Sequence, residues 1–350
     1  MAGIRRVRVL APVRTADVGG WTDTWFAGRG MVTSVAVGPG VEVTVETSHC
    51  GPGQAHIVVP ELGLDTSVDV GDPRSSADPF LAMATAVGCP TGGVRVEVRS
   101  FVPPASGLGT SAAVSVAVIG ALWTLAGRSL EARTLAAAAH SVETALDLQS
   151  GIQDQLASAF GGTRRYDIRY PHLRAVHRLT DNPAALFRDR LVTIYLGRPH
   201  ASSDVHQDVI AELEAGGHRA ALDDLRIAAM HASLAVSRGR VDDFGRALRA
   251  HNDATRRLHA PIVSDEADEV GAIADAYGGC GWKVNGAGGS GGTRSVVVSS
   301  DPDVAAAFLA EVERRRDITV LRLSPSPSGI IVEDSVLPSW RGHVTGARIE

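Results

Sequence analysis

The sequence predicts an α+β chain built in two halves, and three patterns predict it. Apolar and polar residues alternate through the first hundred positions, the spacing turns helical at Thr110, and short strand-like runs return near the end. Taken in order, VRVLAPV, MVTSVAV, VEVTVETS, HIVVPEL and VRVEVRSF read as strands. Helical patterns follow over 112–127, 130–148 and 152–160. LVTIYLG at 191–197 reads as a strand, with helices around 204–215, 220–237, 241–258 and 265–277 behind it. Strand-like WKVNG, a glycine loop at 286–292, RSVVVSS, a helix near 302–315 and TVLRLSPSPSGIIVED complete the series. The stretch RYPHLRAVHRLTDNPAALFRDR lacks a long apolar face, so the halves are expected to divide there, as 1–185 and 186–350. No internal repeat or low-complexity tract interrupts this layout.

Composition narrows the function classes. The 350 residues are 44% hydrophobic and 21% charged, as in an ordinary globular protein. A net charge of −5 and a pI near 6.2 argue against a nucleic-acid partner. Cys50, Cys89 and Cys280 are odd in number and far apart, which fits neither a disulfide framework nor a zinc site and points to a reducing cytoplasm. Arginines interrupt the apolar residues of MAGIRRVRVLAPVR, so it reads as a first strand rather than a signal peptide. The apolar run Ala112–Gly127 is short for a membrane span and holds Ser115 and Thr124; a buried helix is expected, and no membrane partner. Among twelve histidines, the pair His200/His206 is too widely spaced for zinc, and His172, His177, His231, His251 and His259 read as surface or core residues. Cys280 has no histidine near it and reads as packing. No pattern specifies an oligomer.

The most informative stretch is PPASGLGTSAAVSVAVI at 103–119. Glycines just before a helix let backbone amides approach an anion, and the helix N-terminus adds unpaired N–H groups and a positive dipole end. Gly107 and Gly109 clear the approach; Thr110 and Ser111 supply hydroxyls at the cap. A Walker A loop is excluded, because Thr110 stands where lysine is required. Gly107-x-Gly109-x-x-Ala112 fits a dinucleotide fingerprint, although Pro103 and Pro104 interrupt the strand and Glu131 begins a helix where a second strand should end. A third reading is a triphosphate loop with a hydroxyl offered to Mg²⁺, and a fourth is a capped turn without ligand.

Beyond these bare readings, PPASGLGTSAA resembles the second motif of the GHMP kinases, the superfamily of galactokinase, homoserine kinase and mevalonate kinase. APVRTADVGGWTD (11–23) resembles the first motif of the sugar-kinase branch, and GWKVNGAGGSGG (281–292) resembles the third. SGIQDQLASAFGG (150–162) is similar to a segment of the heptose-phosphate and fucose kinases, and RPHASSDVHQDVI (198–210) is similar to the heptose-phosphate side. These segments occur in the family's order and span most of the chain.

The resemblance implies a two-domain α+β GHMP kinase fold, with an N-terminal half like ribosomal protein S5 domain 2 and a ferredoxin-like C-terminal half. It implies ATP and Mg²⁺ as cofactors and a small sugar or sugar phosphate as the acceptor. By the match, the loop of Pro104, Ser106, Gly107, Leu108, Gly109, Thr110 and Ser111 would wrap the phosphates. Ser111 and Glu143 would hold Mg²⁺, two protein oxygens sufficing for a cation that bridges phosphates. Asp154, at the start of a helix that would keep it ionised, is the expected general base. Arg14 would grip phosphoryl oxygens in two-point contact. Gly19, Gly20, Trp21, Thr22 and Asp23 would line the acceptor pocket, with Trp21 as a stacking face. Gly286, Ala287, Gly288 and Gly289 would close the site from the other domain, and Lys283 would brace that loop.

Departures from the family pattern bear on the substrate. GLGTS replaces the commoner GLGSS, GGWTD resembles the fucose and arabinose kinases, SSDV resembles the heptose-phosphate kinases, and GAGGSGG carries a serine within the glycines. The leading expectation is phosphorylation of the anomeric hydroxyl of heptose 7-phosphate, with a fucose-, arabinose- or galactose-type sugar as the alternative. Outside this class stand an NAD(P)-dependent dehydrogenase using the GxGxxA loop and a non-catalytic nucleotide or sugar sensor.

Overall fold

The computed structural model describes residues 4–47, 50–90, 92–148, 150–199, 202–315 and 317–337. In chain order, the first half holds β1 (Ile4–Val18), β2 (Gly30–Thr47), β3 (Gln54–Val59), β4 (Leu64–Asp69), α1 (Pro79–Gly88), β5 (Val94–Ser100), α2 (Thr110–Leu125), α3 (Ala132–Ala145), α4 (Gln153–Phe160), β6 (Thr163–Arg169) and β7 (His172–Arg178). The second half holds α5 (Pro183–Phe187), β8 (Leu191–Tyr195), α6 (Ser202–Glu214), α7 (Arg219–Ser237), α8 (Val241–Leu258), α9 (Asp265–Ala276), β9 (Gly281–Val284), β10 (Thr293–Val297), α10 (Pro302–Arg314), β11 (Thr319–Leu321), β12 (Ser324–Pro325) and β13 (Ile331–Leu337).

Two sheets organise these elements. The first runs β13-β1-β2-β5-β3-β4, with β6 and β12 also on β2 and β7 on β6. The alternation read as two strands, MVTSVAV and VEVTVETS, is one long strand bent at Gly38-Pro39-Gly40. Its two halves take different partners on one side: β6 pairs with 30–35 and β5 with 41–47. A Cβ at Gly40 would stand 2.4 Å from the Ala11 carbonyl oxygen, so glycine permits this bend against the β1 bulge. Helix α2, apolar on nearly every face, is buried through most of its length between this sheet and α1, α3 and α4.

The second sheet has the order β11-β8-β10-β9, all antiparallel. Counted within the sheet, that is fourth, first, third, second, the order of a ferredoxin-like unit. Together the halves form the two-domain α+β arrangement that the resemblance implies. The dinucleotide reading fails here: strand β5 before the glycine loop pairs antiparallel with β2, and a doubly wound parallel sheet is absent among the described residues.

Some elements depart from the sequence expectation. β4, α1 and the β6–β7 hairpin were not anticipated; β7 lies in the polar stretch read as the division between the halves, because an exposed edge strand needs no long apolar face. Strands β12 and β13 return from beyond residue 320 to the first sheet, and β13 pairs with β1 along Ile4–Leu10. His200 lies outside the described residues. No helix among the described residues is long and apolar enough to cross a membrane.

A buried polar seam joins the sheets where β1 meets β8 and β10. Thr15 Oγ1 lies 2.7 Å from Ser295 Oγ and 3.0 Å from Thr193 Oγ1. The Ala16 N–H donates to Ser295 Oγ, whose hydroxyl donates to Asn285 Oδ1. Side chains this specific fix one register between the halves, and the cavity described next lies beside the seam.

Candidate active site

Gly107 and Gly109 hold the left-handed backbone (φ 77° and 73°), and Gly109 caps α2 with no side-chain bond to its first amides. A Cβ at 107 would lie 2.8 Å from the Asn285 carbonyl oxygen, and one at 109 would lie 3.0 Å from the Asp154 carboxylate. The loop therefore threads between the second glycine loop and α4 with no room for side chains.

Three consecutive carbonyls of this loop are held from behind. Thr293 Oγ1 donates to Ser106 O (2.8 Å), Arg14 Nη1 to Gly107 O, and the Arg14 main-chain N–H to Leu108 O (3.0 Å). In a trans peptide each N–H opposes its carbonyl, so the amides of 107–109 point away from these anchors, as an anion nest requires. Ser106 Oγ and Thr110 Oγ1 are buried with no hydrogen-bond partner among the described residues. Two orphaned hydroxyls on a cleared backbone fit a bound polyanion.

A cavity of about 360 Å³ opens on this loop. Its wall includes Ser106, Gly107, Gly109, Thr110, Ser111, Arg14, Gly20, Trp21, Asp23, Glu143, Asp154, Gly286 and Ala287, drawn from all three sequence motifs and both halves. The first turn of α4 carries Asp154, which is bound in two-point contact by Arg14: Nε to Oδ1 at 2.8 Å and Nη2 to Oδ2 at 3.0 Å. Arg14 is buried, whereas a quarter of the Asp154 side chain stays accessible (26%), enough for a substrate to reach it.

Helix α3 supplies Glu143. Burial pushes its carboxyl up to about 7, with the Asp154 charge adding to the rise and hydrogen bonds from Ser150 and Ser111 opposing it. Ser111 and Glu143 thus stand together, and this hydroxyl–carboxylate pair suits a hard cation that draws its other oxygens from phosphate. Among the described residues no group of three or more His, Cys, Asp or Glu side chains could hold a metal alone.

Other expected residues play supporting parts. Gly19, Thr22, Pro104, Leu108, Gly288 and Gly289 do not line the cavity. Gly19 packs on the Met31 carbonyl, Thr22 Oγ1 donates to Gly19 O, Leu108 enters the core, Pro104 faces outward, and the Gly289 N–H docks on Ile262 O. Trp21 reaches the wall, but only 7% of it is exposed; it packs in a cluster with Val209, Leu213 and Leu225, which corrects the expectation of a broad stacking face. Asp23 accepts the Gln153 N–H (2.9 Å), and burial, reinforced by the Asp154 and Asp17 charges, pushes it up to about 7.

The roles of three residues escaped the sequence reading. Lys283, fully buried on β9, donates from Nζ to Asp17 Oδ1 (2.9 Å), so it spans the two halves rather than bracing its own loop. Burial raises the Asp17 carboxyl, but Arg14 and Lys283 outweigh it and hold the group below the usual carboxylate range. His251 on α8 lines the same cavity, and burial together with the Lys283 charge holds its imidazole well below the usual range. Asp17 sat inside the quoted first motif, three residues after Arg14, and its charge was the available signal; His251 offered none.

Comparison with known proteins follows the same lines. Residues 78–162 match the GHMP kinases N terminal domain. The bifunctional fucokinase/GDP-fucose pyrophosphorylase of Arabidopsis thaliana is 25% identical over 346 residues, covering 90% of this chain and 32% of its own length. The chain spans about a third of the length of the curated relatives it matches almost throughout. Among solved structures, Lactococcus lactis galactokinase complexed with galactose superposes with a TM-score of 0.73 at 17% identity, covering 93% of this chain and 95% of that one. A D-glycero-D-manno-heptose 1-phosphate kinase from Bacteroides thetaiotaomicron gives 0.71 at 17% identity, covering 93% and 98%. Residues 78–162 thus carry a GHMP kinases N terminal domain, and the chain shares its two-domain fold with the solved structures named above.

Proposed function

We propose that this chain is an ATP- and Mg²⁺-dependent sugar kinase that transfers the γ-phosphoryl group of ATP to the anomeric hydroxyl of a sugar. One observation carries the reading: the phosphate loop and Asp154 are in contact and share one cavity, since a methyl at Gly109 would already touch that carboxylate. Phosphoryl transfer needs positioned phosphates, neutralised charge and an aligned acceptor hydroxyl. The 107–109 amides and the Ser106 and Thr110 hydroxyls would hold the phosphates. Ser111 and Glu143 would hold Mg²⁺, which supplies positive charge against the phosphate oxygens. Asp154, held in two-point contact by Arg14, would accept the acceptor's hydroxyl proton.

The cavity wall favours an uncharged acceptor over heptose 7-phosphate, the leading expectation from sequence. Among the described lining residues, Asp17, Asp23, Glu143 and Asp154 are acids, and the single arginine, Arg14, is already paired with Asp154. Arg164, Arg165, Arg174 and Arg198 do not line the cavity; Arg164 binds Gly161 O, Arg165 pairs with Asp167 and Arg198 with Glu266. An acidic wall repels a second phosphate. The fucokinase relative supports the same choice, and the heptose kinase fold supports the second reading.

An ADP-release screen tests this over fucose, arabinose, galactose, glucuronate, mannose and heptose 7-phosphate. ADP with a neutral sugar supports the proposal, and ADP with heptose 7-phosphate alone selects the second reading. ATP binding without ADP release would identify a sensor instead.

A further inference from the structure

Asp17 and His251 converge on the cavity from opposite halves of the chain, and neither is needed for phosphate binding or proton transfer. Asp17 Oδ1 is taken by Lys283, whereas Oδ2 has no hydrogen-bond partner among the described residues. Oδ2 stands only 3.1 Å from where a Gly20 Cβ would sit, so glycine at position 20 leaves this oxygen open to the cavity. His251 presents the complementary group. The Gly19 N–H donates to its Nδ1 at 3.0 Å, so Nδ1 carries no proton and the neutral ring holds its hydrogen on Nε2. That N–H has no hydrogen-bond partner among the described residues, on a ring that lines the cavity.

A purely structural role explains this poorly. A buried ion pair contributes little net stability over apolar side chains of similar size, so Lys283–Asp17 is not needed to hold the halves together. The seam of Thr15, Ser295, Thr193 and Asn285 already fixes their register. What Lys283 does achieve is a carboxylate held charged and stationary in a dry wall, with one oxygen left for a ligand. Beside it stands a neutral donor fixed by a backbone amide.

We propose that Asp17 and His251 are a sugar-recognition pair, the carboxylate accepting from one hydroxyl and the imidazole Nε2–H donating to its neighbour, so that the site selects a vicinal diol away from the reacting hydroxyl. This deepens the sugar-kinase reading and rests on it. Lys283 is then a positioning residue that acts through Asp17, and Gly20 sets the clearance. Two buried polar groups built to meet hydroxyls reject an analogue that lacks one, because the group left behind is desolvated and unpaired.

The test uses the whole chain with Mg²⁺-ATP and L-fucose, D-galactose and D-mannose, each beside its monodeoxy analogues. For the parent sugar that is turned over, removal of either hydroxyl of one adjacent pair should raise KM roughly tenfold or more, with ATP KM within twofold. Asp17→Asn and His251→Gln should raise the parent sugar's KM similarly and leave ATP KM in place. On His251→Gln, the deoxy analogue lacking its partner hydroxyl should be no worse than the parent. Should wild-type enzyme use every deoxy analogue at the parent's KM, the pair is refuted without recourse to any variant. Folded variants with wild-type sugar KM, or with sugar and ATP KM raised together, refute it as well. Absence of ADP release with these three and with arabinose, glucuronate and heptose 7-phosphate would overturn the sugar-kinase reading, and the inference with it.

Discussion

The Asp154 carboxylate lies against the Gly109 backbone, so closely that a single methyl at 109 would stand 3.0 Å from it. Two segments 45 positions apart, the glycine loop before α2 and the first turn of α4, thereby meet. Gly109→Ala tests that closeness. The left-handed backbone costs a side chain about 1–2 kcal/mol, and the added methyl displaces Asp154. A lowered melting temperature, a raised ATP KM and a reduced kcat are expected together. A variant matching wild type in all three would contradict the packing.

Asp154→Asn separates chemistry from binding. The amide retains the shape but loses the basicity, so turnover should fall by about 10²- to 10⁴-fold. Mg²⁺-ATP should raise the melting temperature of the variant as much as that of wild type. Near-normal turnover would remove Asp154 from the mechanism.

Asp23 gives a pH signature. Its folded pKa, raised by burial to about 7, exceeds its ordinary value of 3.8. The folded state therefore holds this proton more tightly, so the contribution is fully present below pH 3.8 and is lost as pH rises through about 7. Asp23→Asn lacks that loss while its side-chain oxygen can still accept the Gln153 N–H. Thermal melts should show the variant above wild type at about pH 8 and the gap narrowing toward about pH 5, on either side of the folded pKa of about 7. A gap that is constant with pH would mean Asp23 does not titrate there.

Lys283 and Asp17 should behave as a coupled pair. Lys283→Met alone strands a buried carboxylate and should cost about 3–5 kcal/mol, whereas Lys283→Met with Asp17→Leu should recover most of it. Denaturant titration of Lys283→Met, Asp17→Leu and the double variant measures the coupling. A double-variant loss equal to the sum of the two single losses would show that the pair does not interact.

How much of this was legible depended on how local the signal was. Glycines at 107 and 109 ahead of the apolar run 112–127 announced the loop and α2, because the backbone there dictates the residue type. The two alternating runs of β2 were visible, but their continuity was not, since Gly38-Pro39-Gly40 reads locally as a turn. Strands β12 and β13 were read as the end of the second half, and nothing in IVEDSVL names β1 as its partner. The pairings that complete the cavity are longer still. Lys283 meets Asp17 across 266 positions and His251 meets Gly19 across 232. Each looked ordinary in its own segment, and only the folded chain brings α8 and β9 to these residues of β1 and its following turn. Trp21 shows the converse: its motif suggested a sugar platform, while its neighbours on α6 and α7 turned most of the ring into core.

The central claim is that one cavity brings ATP's terminal phosphate and a sugar hydroxyl together before Asp154. Phosphorus NMR of the whole protein with Mg²⁺, ATP and the sugar panel reads this directly. The account predicts that the γ-phosphate signal is replaced by equal amounts of ADP and a sugar 1-phosphate, and that Asp154→Asn abolishes both. Loss of ATP to inorganic phosphate alone, or a sugar phosphate formed equally well by the Asn variant, would contradict it.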